Sequence, residues 1–285
     1  MFSSKMAEDE VVFDDIPASG SEAAGDSRYT LTSEELGWAA ELTAALKAEG
    51  VPVPKPDLLF AQFVIIGKGQ TAKAVQRVKN YIKNIEEGLG YTTETAKQNG
   101  VAGFFDRKWP GSVAAAKDHD GHPMLAVDVT LYRPAELKGD EEYRQLFQEF
   151  LLMLDACNAD LDDVRNGTMF INQAKGMGWH NFSLELEKRA AVLYQDAYPV
   201  RFHSFPIVDA GSIISAILKL CKVFLSKKLA ERMIVCSHED LQTKHGIDPS
   251  GLPPFLGGSL ESSYDDWLQS KLARRAASVG LVKVP

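Results

Sequence analysis

The sequence has few cysteines, few cations relative to acids, and no long hydrophobic run. Its three cysteines, Cys157, Cys221 and Cys236, are widely spaced and cannot build a disulfide framework. The N-terminus lacks the basic start and apolar core of a secretion signal. The expectation is therefore reduced thiols in a cytosolic protein. No apolar stretch approaches the ~20 residues that span a bilayer. The richest stretch, residues 213–225, carries Lys219 and Lys222 within it. Lys and Arg total 31 against 39 Asp and Glu, a net charge of −8. That balance excludes general nucleic-acid affinity, which needs a basic surface. Apolar residues are not scarce: they make up 45% of the 285 residues, enough for a sizeable core.

The charge is unevenly placed. Residues 1–30 hold seven acids against Lys5 and Arg28, a net of −5, so the remainder carries only −3. Residues 1–28, rich in Ser, Gly, Ala and acids, read as a disordered acidic tail. Order is expected from Leu31, where Thr32 and Glu35 have capping-box spacing. A helix to about residue 49, a proline-rich connector at 51–56 and two further helices (58–66, and from about 71) make a small all-helical unit. The third helix places Val75, Val78, Ile82 and Ile85 on one stripe.

From about residue 100 the pattern changes. Strands are predicted at 124–131, 167–173, 202–208 and 232–236. Helices are predicted at 140–156, 183–197 and 212–225. This alternation indicates an α/β domain with a largely parallel sheet. A last amphipathic helix is predicted at 261–277.

Several short motifs invite chemistry. The run Phe63 to Ala72 looks like a strand and the Gly67-x-Gly69-x-x-Ala72 turn of a dinucleotide site. No second strand with a terminal acid follows, so a connector between two helices is preferred. His119 and His122 lie in a Gly-Pro turn with no third ligand evident, so no metal site is expected. Cys236 and His238 are near in sequence, which is not how a catalytic pair is built. No catalytic residue is assigned, and the chain is not expected to be an enzyme.

The stretch 212–225 is apolar over most of a helix circumference. One stripe is Ile213, Ile217, Leu220 and Phe224; a second is Ile214, Leu218, Cys221 and Leu225. Such a helix needs burial on both sides or an apolar ligand against one.

The C-terminal half carries Tyr198-Pro199-Val200-Arg201, the strand Phe202 to Val208, the apolar helix, then Lys222-Val223-Phe224-Leu225. It closes with Leu252-Pro253-Pro254-Phe255-Leu256-Gly257-Gly258. In order and spacing these four motifs resemble the CRAL-TRIO lipid-binding family. The resemblance extends over about residues 31–260.

The resemblance implies a tail at 1–28, an N-terminal helical module at 29–95 and a lipid-binding domain at 96–262. A C-terminal amphipathic helix and tail at 263–285 would follow. The implied fold is a mixed, largely parallel sheet flooring an apolar cavity, closed by a gate helix at 212–225. The implied lipid-pocket residues are Met169, Ile171, Phe205, Ile207, Ile213, Ile217, Leu220 and Phe224. The implied phosphoinositide headgroup residues are Arg201, His203, Lys228 and Arg232. Beside phosphate the protonated His203 is favoured, so binding should weaken as pH rises through neutrality. Val200 stands where phosphatidylinositol-binding relatives carry glutamate, so inositol recognition inside the pocket is not expected.

The expected function is that of a soluble lipid-binding and transfer protein exchanging ligand at anionic, phosphoinositide-bearing membranes. It would be cytoplasmic, peripherally membrane-associated and monomeric, with no cofactor other than a bound hydrophobic lipid. The alternatives are a nicotinamide-dependent oxidoreductase using Gly67 and Gly69, and a phosphoinositide-sensing scaffold that transfers nothing.

Overall fold

The fold was analysed in a computed structural model that describes residues 25–98, 103–109, 111–113, 117–261 and 263–284. The chain begins with three helices: α1 (Ser33–Ala48), α2 (Asp57–Gly67) and α3 (Thr71–Tyr81), the last continued by a wider turn at Ile82–Glu87. The capping box forms in both directions. Thr32 Oγ1 accepts from the Glu35 amide at 3.2 Å, and Glu35 Oε2 accepts from the Thr32 amide at 2.9 Å. Arg165 also donates to both Glu35 oxygens, at 3.0 and 2.7 Å, so the cap doubles as a tether to the larger domain.

Residues 1–24 of the expected tail lie outside the described residues. Its last part is not tail-like. Ser27 donates to Asp162 at 2.6 Å, and the Arg28 carbonyl accepts the Leu161 amide at 3.0 Å. Packed chain therefore starts a few residues before the capping box.

The dinucleotide alternative fails on geometry. Phe63, Val64 and Ile65 are buried residues of α2, not a strand. Gly69 has φ +70°, and a Cβ there would meet Trp38 Nε1 at 2.7 Å. The Trp38 indole packs against this turn, and the segment is a connector between helices.

Next come α4 (Thr93–Gln98), α5 (Phe104–Lys108), β1 (Ser112–Val113), β2 (Met124–Asp128), α6 (Gly139–Cys157), α7 (Leu161–Asn166) and β3 (Thr168–Gln173). They are followed by α8 (Leu184–Val192) with a wider last turn at Leu193–Ala197, β4 (Phe202–Val208), α9 (Ile213–Cys221), α10 (Lys227–Ala230) and β5 (Met233–Cys236). The chain ends with α11 (His238–Thr243) and α12 (Tyr264–Leu281). The sheet order is β1-β2-β3-β4-β5. Strands β2 to β5 are parallel, joined by helical crossovers, and β1 pairs antiparallel to β2. The fold is thus α/β with a mixed, largely parallel sheet. The two-residue β1 has no counterpart in the sequence prediction.

The sheet is buried on both faces. Asn172 pairs with Ile207 and Met169 with Ser204, which places Phe170 beside Phe205 on one face. Met124, Ala126, Met169, Ile171 and Val208 occupy the opposite face. There they pack with Leu241, Ile247, Leu252 and Leu256 into a separate apolar cluster. The closing motif seals that cluster: a Cβ on Gly258 would overlap the Leu252 carbonyl oxygen. On the other side, the main core runs continuously from Tyr29 through α2, α3 and α6 to α12.

Two buried ion pairs bind α12 into this core. Arg275 meets Asp155 at 2.8 Å, and Arg274 pairs with Asp160. Asp155 also accepts from Tyr91 at 2.7 Å, from Thr93 and from Tyr198. It is therefore a fully bonded buried charge.

Candidate functional site: an apolar cavity and a basic patch

Between the sheet and the helices α6, α8 and α9 lies a cavity of about 170 Å³. One water needs only ~10–15 Å³ on this measure, so the space exceeds a packing defect. Most of its wall comes from β3, β4, α6, α8 and α9, with Phe105 of α5, Met233 of β5 and residues of the connecting segments completing it. Strands β3 and β4 contribute Phe170, Asn172, Phe205 and Ile207. Helix α6 contributes Leu146, Phe147 and Phe150. Leu186, Glu187 and Ala190 come from α8, Tyr194 from its last turn, and Ile214, Ile217, Leu218 and Cys221 from α9. Phe202, Phe205, Phe170 and Tyr194 form a linked set of ring contacts, with Phe202 and Phe205 centroids 4.5 Å apart.

The expected pocket residues divide. Phe205, Ile207 and Ile217 line the cavity. Met169 and Ile171 do not: strand alternation turns them to the opposite face, and Phe170 and Asn172 take their places. Ile213 and Phe224 are half-buried against the core but do not line the cavity. Leu220 is 42% exposed on the outer face of α9. The inward stripe is Ile214, Ile217, Leu218 and Cys221, rotated by about one residue from the expected one. The outward face carries Lys219, Leu220, Lys222 and Val223, the last 87% exposed. Helix α9 ends at Cys221, short of the expected residue 225, and a turn leads to α10.

The four expected headgroup residues share one electrostatic neighbourhood at the N-terminal end of β4. Burial, then the positive charges of Arg232, Lys68 and Arg201, holds the Lys228 ammonium below its ordinary range. Burial and Arg201 do the same to Arg232. The Arg201 guanidinium donates to the Arg165 carbonyl at 2.6 Å, which leaves its charge uncompensated there. Among the described residues no carboxylate pairs with Lys68, Lys228 or Arg232. Lys68, from the α2–α3 turn, joins the patch across a long sequence separation.

The His203 ring lies 3.7 Å, centroid to centroid, from that of His122. Burial, then His122, lowers the His203 pKa below its usual value, and only Asp118 opposes. The free protein therefore disfavours the protonated His203 ring, which an anion beside it would restore.

The remaining motifs do not assemble. His122 is held by Asp118 at 2.8 Å, while the His119 ring is exposed. Among the described residues no group of three or more His, Cys, Asp or Glu could hold a metal. The Cys236 thiol is pushed up to about 11, first by burial, and the His238 ring faces Asp209 at 3.0 Å. Among the described residues no helix is long and apolar enough to cross a membrane.

This architecture agrees with comparisons to known proteins. A sequence profile of the CRAL/TRIO domain matches residues 112–258, half of the chain, including the sheet, α8 and α9. The chain belongs to the CRAL/TRIO domain family. Mouse tyrosine-protein phosphatase non-receptor type 9 is 27% identical over 156 residues, 55% of this chain and 25% of that protein. Rat clavesin-1 is 24% identical over 213 residues, 72% of this chain and 57% of that protein. The chain thus spans about a quarter and just over half of these relatives' lengths. The crystal structure of Sfh5 superposes with a TM-score of 0.58 at 12% identity, covering 87% of this chain and 98% of that one. At that identity the likeness concerns the fold.

Within the CRAL/TRIO frame the motif residues have visible tasks. Tyr198 of Tyr-Pro-x-Arg hydrogen-bonds buried Asp155, Arg201 braces the end of α7, and Gly258 closes the second cluster. Sequence reasoning missed Phe170, Asn172, Ile214, Leu218, Cys221, Glu187 and Lys68. The first two follow from strand parity, the next three from helix phase, and Lys68 only from the tertiary fold.

Proposed function

We propose that this CRAL/TRIO chain is a lipid carrier that holds an apolar ligand under α9 and exchanges it at anionic membranes. The carrying observation is the cavity, walled mainly by aromatic and aliphatic side chains. A lipid leaving a bilayer must otherwise expose its acyl surface to water, at about 25 cal/mol per Å². An apolar enclosure replaces water by side chains and needs no covalent step.

Helix α9 is the proposed gate. Its inner stripe closes the cavity, while Leu220 and Val223 offer apolar surface outside, flanked by Lys219 and Lys222. Lysines beside an anionic membrane contribute ~1 kcal/mol each, which favours docking of this face. The cluster of Lys68, Arg201, Lys228 and Arg232 is the proposed phosphoinositide headgroup site, with His203 at its edge. Its support is the mutual positive field, in which, among the described residues, no carboxylate pairs with Lys68, Lys228 or Arg232. Guanidinium groups bind phosphate bidentately and lysine adds a point charge.

The test is transfer of lipid between donor and acceptor liposomes, with and without phosphatidylinositol bisphosphate in the acceptor. Protein-dependent transfer, faster with the bisphosphate, supports the carrier. Binding to such liposomes without any transfer would favour the sensing scaffold instead.

A further inference from the structure

Glu187 is out of keeping with its surroundings. It projects from α8 into a cavity whose other walls are nearly all apolar. None of the lining residues is Lys, Arg or His. Among the described residues its carboxylate has no hydrogen-bond or ion-pair partner. Its ionisable neighbours are Tyr194 and Cys221, neither of which supplies a positive charge. Burial alone pushes the Glu187 carboxyl up to about 7. An unpaired carboxylate in an apolar space is costly unless a donor reaches it.

The other polar groups on the wall narrow what that donor is. Asn181 is saturated: its amide donates to the Thr130 and Tyr132 carbonyls at 2.7 and 2.8 Å, and its oxygen accepts from Gly178 at 2.9 Å. Asn172 spends one of its two amide N–H donors on the Phe170 carbonyl at 3.1 Å, and its oxygen accepts from no described residue. The indole N–H of Trp109 has no partner, but it is sealed from accessible surface. The wall thus offers two open acceptors, the Glu187 carboxylate and the Asn172 carbonyl, beside donors from the second Asn172 N–H, the Tyr194 hydroxyl and the Cys221 thiol.

We propose that Glu187, with Asn172, is a specificity determinant that selects a lipid bearing a hydroxyl or amine donor over one bearing a carboxylate. This rests on the carrier reading above. A hydroxyl or amine supplies the missing donor, whereas a carboxylate would face Glu187 with like charge. Neglecting to fill a buried polar group discriminates more strongly than a missing methylene, because the unpaired acceptor keeps its desolvation cost.

The test is displacement of an apolar fluorescent probe by hexadecanol, hexadecylamine and hexadecanoate, delivered from cyclodextrin to the full chain at pH 8.5, where the Glu187 carboxyl is ionised. The wild type is expected to bind the alcohol or the amine about tenfold or more tighter than the acid. Glu187→Leu, which removes an unpaired carboxylate from the cavity wall, should melt cooperatively and bring the three ligands within about twofold. Glu187→Gln keeps the shape and should retain the alcohol while losing any preference for the amine. Equal wild-type affinity for acid and alcohol, or an unchanged ranking in Glu187→Leu, would overturn the proposal. Failure of the probe and all three ligands to bind would instead overturn the carrier reading on which it rests.

Discussion

Phe170 on β3 and Phe205 on β4 meet edge to face, with ring centroids 5.6 Å apart and planes at 79°. The parallel register puts these two residues side by side, so the floor of the cavity is an aromatic pair set by strand pairing. Met169, one residue away, belongs to a different core.

The contrast between Phe170 and Met169 makes the first prediction. Phe170→Ala enlarges the cavity and should change which lipids co-purify. Met169→Ala leaves a hole in the second cluster and should cost about 2–5 kcal/mol without altering the bound lipid. Denaturant melts and mass spectrometry of lipid extracts separate the two. Identical lipid profiles for wild type and Phe170→Ala would contradict the assignment of faces.

Parity explains how much of this was legible beforehand. A strand buried on both faces carries apolar side chains on both, so hydropathy cannot choose between Met169/Ile171 and Phe170/Asn172. On β4, Phe205 and Ile207 share the face that lines the cavity. On α9 two apolar stripes lie side by side, and the true inward face straddles them, sharing only Ile217 with the expected stripe. The strand and helix order, by contrast, followed from periodicity and turn residues. The basic pairs Arg201/His203 and Lys228/Arg232 could be read as local spacings. Lys68 could not, because the α2–α3 turn reaches them only through packing of the helical module.

A second prediction concerns the outer face of α9. Leu220→Asp and Val223→Asp alter exposed positions and should shift stability by no more than about 0.5 kcal/mol. Both should still load lipid, yet slow transfer between liposomes severalfold by weakening membrane docking. Unchanged transfer rates for both variants would remove the outer face from the mechanism.

The basic patch yields a third. Lys228→Ala/Arg232→Ala should weaken co-sedimentation with phosphatidylinositol bisphosphate more than with phosphatidylserine at matched charge. Burial lowers the His203 pKa in the free protein, while a bound polyanion raises it. Binding should therefore weaken as pH rises from the lowered free-state value to the raised bound-state one, and be flat outside that window. Equal losses on both lipids would leave only nonspecific electrostatics.

A fourth prediction isolates a buried carboxyl. Glu149 accepts from the Gly103 amide at 2.8 Å and from the Tyr264 hydroxyl, but its other oxygen has no partner. Burial pushes its carboxyl from 4.5 up to about 7. Between those values the folded state holds the proton that the unfolded state has lost, so stability falls as pH rises through this window. The penalty reaches about 3 kcal/mol above pH 7. Glu149→Gln should thus gain on wild type between pH 5 and pH 8 in denaturant melts. A pH-independent difference would contradict the burial of an unpaired oxygen.

The buried pair Arg275–Asp155 supplies the fifth. Asp155→Ala strands the Arg275 charge and the Tyr91 and Tyr198 hydroxyls, and should cost about 3–5 kcal/mol. Asp155→Ala should therefore lower the melting temperature by many degrees, whereas a change of under about 1 kcal/mol would contradict the network.

The most direct measurement of the central claim is native mass spectrometry of the purified chain beside its Ile217→Asp variant. Ile217 is the residue of α9 on which sequence and structure agree, and it is 4% exposed against the cavity. A carboxylate there would cost several kcal/mol in an apolar enclosure. The account predicts one lipid bound per wild-type chain and none on a variant that still melts cooperatively. A lipid-free wild type, or a folded variant carrying the same lipid, would contradict it.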